Sequence, residues 1–244
     1  MEYLHHKITE AVCAFRYNPD LNNWDLTKYA EFYNEIRNDG FEKKQEIRPL
    51  QLSFQLKPNE LPAVQQMNQG EINMVYKNDD DSSAILLGNN YISFHTLNHY
   101  PGWEIFHSEL ISPYIAKYFE IGLGNGLISA QMIYINTFDI NYGKNLSDYL
   151  NFIPRMENLG TGDELSHLFQ SLYDISPNKK LQLKTILNVQ PPEKTKKVVF
   201  ECNCISSNSS TLDVAWETLA KDAHDAAKNA FIKNTTDYFR ELIS

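Results

Sequence analysis

The chain repeats one pattern of strand followed by helix, and this repeat constrains its fold more than any other feature. An alternating segment ending in Phe15-Arg16-Tyr17 precedes a helical segment, and about halfway along the chain another ending in Tyr134-Ile135-Asn136 does the same. Each is followed by further alternating segments and then by a helical stretch that begins near a tryptophan, Trp103 or Trp216. Loops change length between related units while strands and helices keep their pattern. We therefore predict an internal duplication.

The duplication divides the chain into halves at residues 1–121 and 122–244, with the boundary in the glycine-rich segment Gly122–Gly126. Apolar and polar residues alternate in 50–56 and again in 181–189, which is typical of strands with one buried and one wet face. Such strands favour an antiparallel sheet. We expect an α+β fold of two pseudo-repeated halves, each an antiparallel sheet with helices packed on one face, which together form one compact unit.

Periodicity also predicts the individual elements. The expected strands have alternating apolar residues and lie at 8–17, 50–56, 72–76, 84–87, 91–97, 127–140, 181–189 and 198–204. The expected helices have apolar residues three and four apart and lie at 26–36, 103–118, 146–152, 165–173 and from 216 onwards. Pro113 would kink or divide the second helix because it lacks a backbone donor. The C-terminal helix is long, about 45 Å if it ran unbroken through Leu242, and residues 57–70 are expected to form a loop.

Charge and hydropathy argue against two classes of partner. The net charge is −9, whereas a protein that binds mainly nucleic acid presents a basic face to the phosphates. No segment has the roughly 20 uninterrupted apolar residues of a membrane span, and the first residues lack the apolar run of a secretory signal. The chain has only three cysteines, which suits a reducing compartment. These features predict a cytoplasmic protein.

Two motifs that can carry chemistry have simpler structural interpretations here. Cys202-x-Cys204 places two sulfurs on one strand face, but they continue the apolar row of Val198 and Phe200, which favours core cysteines over metal ligands. The segment Gly122–Gly126 lies between a helix and a strand, whereas a phosphate-binding loop needs the reverse order, so a linker is favoured. There is also no nucleophile or metalloprotease motif. The sequence therefore predicts no catalytic residue, no metal and no cofactor.

Candidate binding residues come from two features of the predicted fold. The wet strand faces carry polar side chains and one isoleucine, namely Gln51, Gln55, Gln182, Lys184 and Ile186. Arg16 and Asn136 lie at the matching strand ends of the two halves. His95 lies on the strand at 91–97, and His99 lies in the turn between that strand and the helix predicted from residue 103. A histidine can act as a general base because its unperturbed pKa lies near neutrality. A surface or capping role is nevertheless the simpler interpretation of His95 and of His99.

Several short segments spread over nearly the whole chain are shared with one bacterial family. They are Ala14-Phe15-Arg16-Tyr17, Tyr100-x-x-Trp103-x-x-Phe106, Tyr134-Ile135-Asn136, and His224-Asp225-Ala226-Ala227 with Phe231, Thr235-Thr236 and Phe239. In these segments the chain resembles a sporadically distributed bacterial family of uncharacterised proteins of about this length. An arginine usually follows the Tyr-Ile-Asn triplet in that family, whereas Thr137 stands here. The resemblance implies no particular activity, and the patchy distribution implies mobile or defence-associated gene neighbourhoods.

These observations lead to two hypotheses of different classes. The first is a non-enzymatic protein-binding or adaptor protein, defence-associated or chaperone-like, which presents a sheet face or its last helix to a protein partner or to a second copy in a homodimer. The alternative is an enzyme or nucleotide-sensing protein with its site in the cleft between the two halves. A binding protein should expose apolar side chains, whereas an enzyme should hold converging ionisable groups of shifted pKa.

Overall fold

The computed structural model describes residues 8–48, 50–55, 63–141, 144–153, 166–190, 195–208 and 214–243, with the backbone alone at 50–55, 63–69, 166–167, 188–190 and 195. The strands in chain order are β1 (Ile8–Tyr17), β2 (Lys43–Ile47), β3 (Leu50–Gln55), β4 (Ala63–Gln69), β5 (Asn73–Lys77), β6 (Ser83–Gly88), β7 (Tyr91–Leu97), β8 (Leu127–Asp139), β9 (Ser166–Ser176), β10 (Lys179–Gln190) and β11 (Thr195–Ser207). Nine of them form one sheet in the order β2-β5-β6-β7-β1-β8-β11-β10-β9, while β3 and β4 form a separate two-stranded ribbon. Every pair is antiparallel. The expected mixture of helices and an antiparallel sheet is therefore confirmed.

The helices pack on one face of the large sheet. They are α1 (Thr27–Ile36), α2 (Trp103–Ile105), α3 (Ser112–Glu120), α4 (Trp216–Asn234) and α5 (Asp237–Leu242). Aromatic contacts attach them to the sheet through the pairs Phe32–Tyr76, Tyr118–Tyr17, His224–Tyr134 and Phe239–Phe138. Within the described ranges, none of the helices combines the length and the apolar character that crossing a bilayer requires.

The central strands β1 and β8 define the two faces of the sheet. The two strands run antiparallel with Cys13 opposite Met132. On β1, the side chains of Ala11, Cys13, Phe15 and Tyr17 are buried because they point toward the helices; we call this side the core face. On β8 the same face carries an unbroken alternation of buried residues from Ala130 to Phe138. The alternation predicted for β8 is therefore confirmed. On β1 the four predicted residues share one face, but Val12 and Ala14 of the other face are buried as well.

The helical run after β7 changes its geometry just before Pro113. Residues Phe106–Ile111 between α2 and α3 form a π-helix, in which the N–H of Ser112 bonds to the carbonyl of His107, five residues earlier. Pro113 then falls in the first turn of α3, where a missing N–H costs no intrahelical bond. The proline thus separates two helical pieces through a π-turn, a device that is often found at functional positions.

Three sequence predictions were wrong in element type or extent. Residues 165–173 are not a helix, because the described part of this range belongs to strand β9. The predicted loop at 57–70 contains β4, and the predicted helix at 146–152 is a single 3₁₀ turn, Leu146–Asp148. In β9, Leu168 and Leu172 point to one face of the sheet and Phe169 and Tyr173 to the other. In a strand that is apolar on both faces, apolar residues can recur three and four positions apart, as they do in a helix. Only the pairing with β10 shows that this segment is a strand.

The C-terminal helical segment is divided in two. Helix α4 ends at Asn234, and Thr235 forms an isolated antiparallel bridge with Leu150. The hydroxyl of Thr236 accepts a hydrogen bond of 3.2 Å from the N–H of Phe239 and so caps α5. The helix does not continue unbroken through Leu242, because Leu150 pairs with the backbone of Thr235 where α4 ends.

Candidate functional site

One face of the nine-stranded sheet carries no helix of the described chain. Each helix contacts the core face, whereas the opposite face carries Val12, Ala14 and Arg16 of β1 together with the residues paired to them on the neighbouring strands. We call this surface the open face. Antiparallel sheets commonly keep one face toward water. Nine strands at about 4.8 Å spacing make a surface about 40 Å wide, which is broad enough for a macromolecular partner.

The part of the open face on β1 and β7 carries ionisable side chains. The guanidinium of Arg16 lies 5.4 Å from the ring centre of Tyr91, a cation–π geometry. The ring of His95 is held on both sides, with Nδ1 3.0 Å from Oε1 of Glu10 and Nε2 2.9 Å from Oγ of Ser93. Both ring nitrogens of His95 are therefore engaged, one by a carboxylate and one by a hydroxyl, and these contacts fix the orientation of the ring on this surface.

Amide side chains cross the middle of the open face. Nε2 of Gln131 on β8 donates to Oδ1 of Asn203 on β11 at 2.9 Å, and Nδ2 of Asn203 donates to Oε1 of Gln182 on β10 at 3.2 Å. We call these three residues the amide ladder. It fixes the orientation of polar groups over three strands, because each amide contributes both a donor and an acceptor. Such a surface can hydrogen-bond a partner without carrying net charge.

The far part of the open face, on β9 and β10, exposes two leucines among polar side chains. Leu168 and Leu172 are 67 % and 68 % exposed. Leu168 pairs with Ile186 of β10, and Leu172 pairs with Gln182, the last member of the amide ladder. Ile186 also pairs with Val199 of β11. We call Leu168, Leu172, Ile186 and Val199 the apolar band, in which the pair Gln170–Lys184 lies between Leu172 and the other three residues. Exposed large apolar side chains distinguish it from an ordinary wet surface.

On the core side, helices of the two halves meet through two histidine–tryptophan stacks. The ring centre of Trp103, at the start of α2, lies 4.4 Å from that of His224 in α4, with 9° between the planes. The ring centre of Trp216, at the start of α4, lies 5.4 Å from that of His107 in the π-helix, with 21° between the planes. Each tryptophan therefore stacks on a histidine of the other half. We call these four residues the helix junction.

Two tyrosines connect the helix junction to the sheet. The hydroxyl of Tyr134 on β8 lies 2.5 Å from Nδ1 of His224 and 3.0 Å from the hydroxyl of Tyr100. Burial lowers the pKa of His224 to about 4 and raises the pKa of Tyr134 well above its usual value. At neutral pH the imidazole is uncharged, and Nδ1 can accept the proton of the Tyr134 hydroxyl. The arrangement is a buried and uncharged chain of hydrogen bonds.

The structure places most of the predicted binding residues on the open face. They are Arg16, His95, Gln182, Lys184 and Ile186, whose neighbours along each strand point to the core. Gln51 and Gln55 lie in the β3–β4 ribbon and not in the large sheet, and their side chains lie outside the described part of the molecule. His99 is exposed in the turn before α2. The pairing of Arg16 with Ser129 puts it far from His99, at the other end of β1.

Asn136 lies apart from the other predicted residues. It is buried on the core face, where its side-chain nitrogen donates to the carbonyl of Phe200 at 3.3 Å and its Oδ1 has no partner among the described residues. Asn136 pairs with Ile8 while Arg16 pairs with Ser129, so the two lie near opposite ends of the β1–β8 pair and on opposite faces. The structure does not bring together the two strand ends that the repeat suggested as a shared site.

Local sequence offered no sign that the tyrosines, His224 or the exposed leucines are functional candidates, whereas His107 lies at the end of the histidine-rich stretch that begins at His95. Trp103 and Trp216 marked equivalent helix starts, but nothing local indicated that each meets a histidine of the other half. Leu168 and Leu172 were hidden by the helix-like spacing of β9. The cysteines were predicted correctly, because Cys202 and Cys204 are buried in the core row of β11, and burial raises the pKa of both thiols.

Comparison of the sequence with protein-family models gives no match, and none of the curated proteins matches it either. The functional interpretation is therefore built on the geometry of the open face and of the helix junction.

Proposed function

We propose that this chain is a non-enzymatic protein-binding module that contacts its partner with the open face. The observation that carries the proposal is the apolar band, in which Leu168, paired with Ile186, and Leu172, paired with Gln182, are about two-thirds exposed. Complete burial of a leucine side chain contributes about 1.5–3 kcal/mol. A partner that covers the band recovers much of this free energy, which the isolated chain leaves unused.

The rest of the open face supplies the specificity that an apolar contact lacks. The amide ladder offers fixed donors and acceptors, and the Arg16–Tyr91 pair offers an aromatic and cationic contact. A partner that covers both regions would combine apolar contacts with directed polar ones, as protein interfaces do. An adaptor would hold a folded partner on this face, and a chaperone-like protein would hold an apolar segment of an unfolded one.

The test compares two isoleucine variants on opposite sides of the molecule. Ile186→Glu places a charge in the apolar band, whereas Ile232→Glu places one on the outer side of α4, where Ile232 is exposed. Both purified variants and the unchanged chain are immobilised, and proteins retained from a lysate of cells that express the chain are quantified by mass spectrometry. We expect at least one protein to be lost about tenfold with Ile186→Glu and kept with Ile232→Glu.

Equal retention by the two variants would contradict the proposal, provided that circular dichroism shows the same melting temperature for both. A defined probe complements the capture experiment. The dye 1-anilinonaphthalene-8-sulfonate, which fluoresces on exposed apolar surface, should brighten with the unchanged chain and brighten less with Ile186→Glu.

We also infer that the fold arose from two pseudo-repeated halves, with α4 as the long C-terminal helix that corresponds to the helices after β7. Sheet order supports this inference, since β1 is followed outward by β7, β6 and β5 and β8 is followed outward by β11, β10 and β9. In both halves the first strand pairs with the last and the chain meanders to the edge. Cys13 and Met132 lie opposite each other at the centre, where an axis relating the halves would pass.

A second candidate function is an enzyme or nucleotide sensor with its site at the helix junction. The observation that favours it is the uncharged imidazole of His224, stacked on Trp103 and bonded to the Tyr134 hydroxyl. The junction lies between the two halves, where ligand sites often form. A planar base that displaced His224 from Trp103 would meet the tryptophan face and the Tyr134 hydroxyl, one for stacking and the other for a hydrogen bond.

Tryptophan fluorescence tests this second candidate. ATP and GTP are titrated into the unchanged chain, His224→Gln and Lys233→Gln, the last being an exposed control at the end of α4. A nucleotide bound at the helix junction should change the emission of Trp103 and bind about tenfold more weakly to His224→Gln, with no loss in Lys233→Gln. The absence of any saturable change, or equal affinity of all three proteins, would refute the candidate.

Free thiols support a cytoplasmic location for either function. Cys13, Cys202 and Cys204 are all buried and unpaired by disulfides. Proteins of oxidising compartments commonly use such residues in disulfides. We therefore include a reducing, cytoplasmic environment in the proposal.

A further inference from the structure

We propose that strand β9 pairs with β9 of a second copy of this chain, so that two nine-stranded sheets join edge to edge in a symmetric dimer. The contact is made by the edge of the sheet and not by the open face, so the inference goes beyond the proposed binding function. The two surfaces share Leu168 and Leu172, and for this reason their tests use different residues.

The outer edge of β9 is long and is not paired within the described residues. The strand has 11 residues and bonds to β10 on one side only. An unpaired strand edge presents a row of backbone N–H and C=O groups that can template another strand. Large apolar side chains are exposed on both sides of this edge, with Leu168 and Leu172 on the open face and Tyr173 on the other.

The opposite edge of the same sheet is built differently. Strand β2 has five residues, and Lys43, Lys44 and Glu46 are exposed along it. Short length and charged side chains are the features by which sheet proteins prevent pairing between edges. Lys43 also forms an ion pair of 3.2 Å with Asp81. The sheet therefore has one edge that resists pairing and another, β9, that is about twice as long and, among its described side chains, carries one exposed charge, Asp174, near its end.

The side-chain pattern of β9 is complementary to itself. On the open face the order is Leu168, Gln170, Leu172, which reads the same in both directions. In an antiparallel pair with a two-fold axis at Gln170, each Leu168 faces the partner's Leu172, and Gln170 faces the partner's Gln170. Cross-strand pairs of this kind are the units that stabilise a sheet, and no charged side chain lies between residues 168 and 172.

The size of the contact predicts a reversible dimer. About nine paired residues at 3.3 Å each give a contact about 30 Å long, and a sheet with its side chains is about 10 Å thick. This corresponds to roughly 600 Å² over both partners, about half of the 1,200 Å² at which stable interfaces begin. The dimer should therefore form and dissociate with protein concentration and should not survive strong dilution.

Sedimentation equilibrium of the purified chain tests the pairing and its register together. Gln170→Lys and Gln170→Glu each put like charges opposite each other at the proposed axis, whereas a mixture of the two variants puts opposite charges there. The controls are Gln45→Lys and Gln45→Glu, which change an exposed glutamine on the β2 edge in the same way. Masses are measured over about a hundredfold range of concentration, so that mass action is visible.

We expect the unchanged chain and both Gln45 variants to shift from monomer to dimer with rising concentration. Each Gln170 variant alone should raise the dissociation constant about threefold to tenfold, and the equimolar mixture should restore the dimer. A monomer at every concentration, a dimer insensitive to Gln170, or a mixture that behaves like its components would each overturn the inference. These outcomes do not involve Ile186, so the binding function is judged separately by the Ile186→Glu capture experiment.

Discussion

Replacing Phe15 by alanine is expected to lower the free energy of unfolding by about 3–5 kcal/mol, the usual cost of emptying a buried phenylalanine site. The side chain is 0 % exposed. Its ring packs edge-on against Phe94 of β7 at 6.2 Å and against Trp216 of α4 at 5.7 Å. Trp216 belongs to the second half of the chain, so the cavity opens where the two halves meet. Such a loss is a large part of the 5–15 kcal/mol that stabilises a typical domain.

Urea denaturation followed by both circular dichroism and tryptophan fluorescence measures this loss. Because Phe15 joins elements of both halves, the two signals should give one coincident transition before and after the substitution. Phe119→Ala is the matched control, since Phe119 is exposed on α3 and should cost less than half as much. Equal costs for the two variants, or separate transitions for the two signals, would contradict a single core shared by the halves.

Lowering the pH from 7.5 to 5.0 is expected to remove about 2 kcal/mol of stability through His224 alone. The folded imidazole is 7 % exposed and has its pKa lowered to about 4 by burial, whereas the unfolded side chain keeps a pKa near 6.5. Between these values the unfolded state binds more protons than the folded state. The stabilising effect of the neutral ring is therefore complete above about pH 6.5 and declines as the pH falls toward 4.

The groups around His224 explain the sign of this change. Burial is the main cause, since the ring lies between Trp103 and the Tyr134 hydroxyl, where a positive charge would lose its hydration. Lys221 and Lys228 of the same helix also disfavour protonation, while Asp225 opposes them with Oδ1 3.9 Å from Nε2. A protonated ring would lose the Nδ1 acceptor on which Tyr134 depends, so acid should weaken the helix junction.

The variant His224→Phe isolates this contribution. It keeps a flat ring against Trp103 but cannot titrate, so it should be less stable than the unchanged chain at pH 7.5 by about 1–2 kcal/mol for the lost hydrogen bond. Its further loss between pH 7.5 and 5.0 should be smaller by about 2 kcal/mol. The control His99→Phe changes an exposed histidine and should keep the original pH dependence. If His224→Phe responds to pH as the unchanged chain does, His224 is not the titrating group.

The sequence predicted the strands with one polar face far better than the strands without one. In β8 each side chain alternates between a buried and a more exposed environment, and this alternation is a local property of the chain. β9 is apolar on both faces because it lies at an edge, where Leu168 and Leu172 face outward. The spacing of its apolar residues is the same as in a helix, so the local sequence does not distinguish a strand from a helix here.

The residues of the candidate site also differ in how well the sequence predicted their positions. Gln182, Lys184 and Ile186 were assigned to a wet face from alternation alone, and the structure places them on the open face. Asn136 occupies a position in the buried row of β8, where a polar residue gives no local sign of its burial. The partners of His224 lie 90 and 121 positions away in the chain, at Tyr134 and Trp103, and no spacing rule connects them.

By itself the sequence determined which side of each regular strand is apolar, and hence an antiparallel sheet with helices on one side. Side-chain direction follows from the backbone one residue at a time, so alternation is sufficient for this. Only the tertiary structure decided that the strands of both halves join in one sheet, that β9 closes one edge of it, and that His224 is held neutral between Trp103 and Tyr134. These features depend on contacts between distant segments, whose free energy exists only after the chain has closed the loops between them.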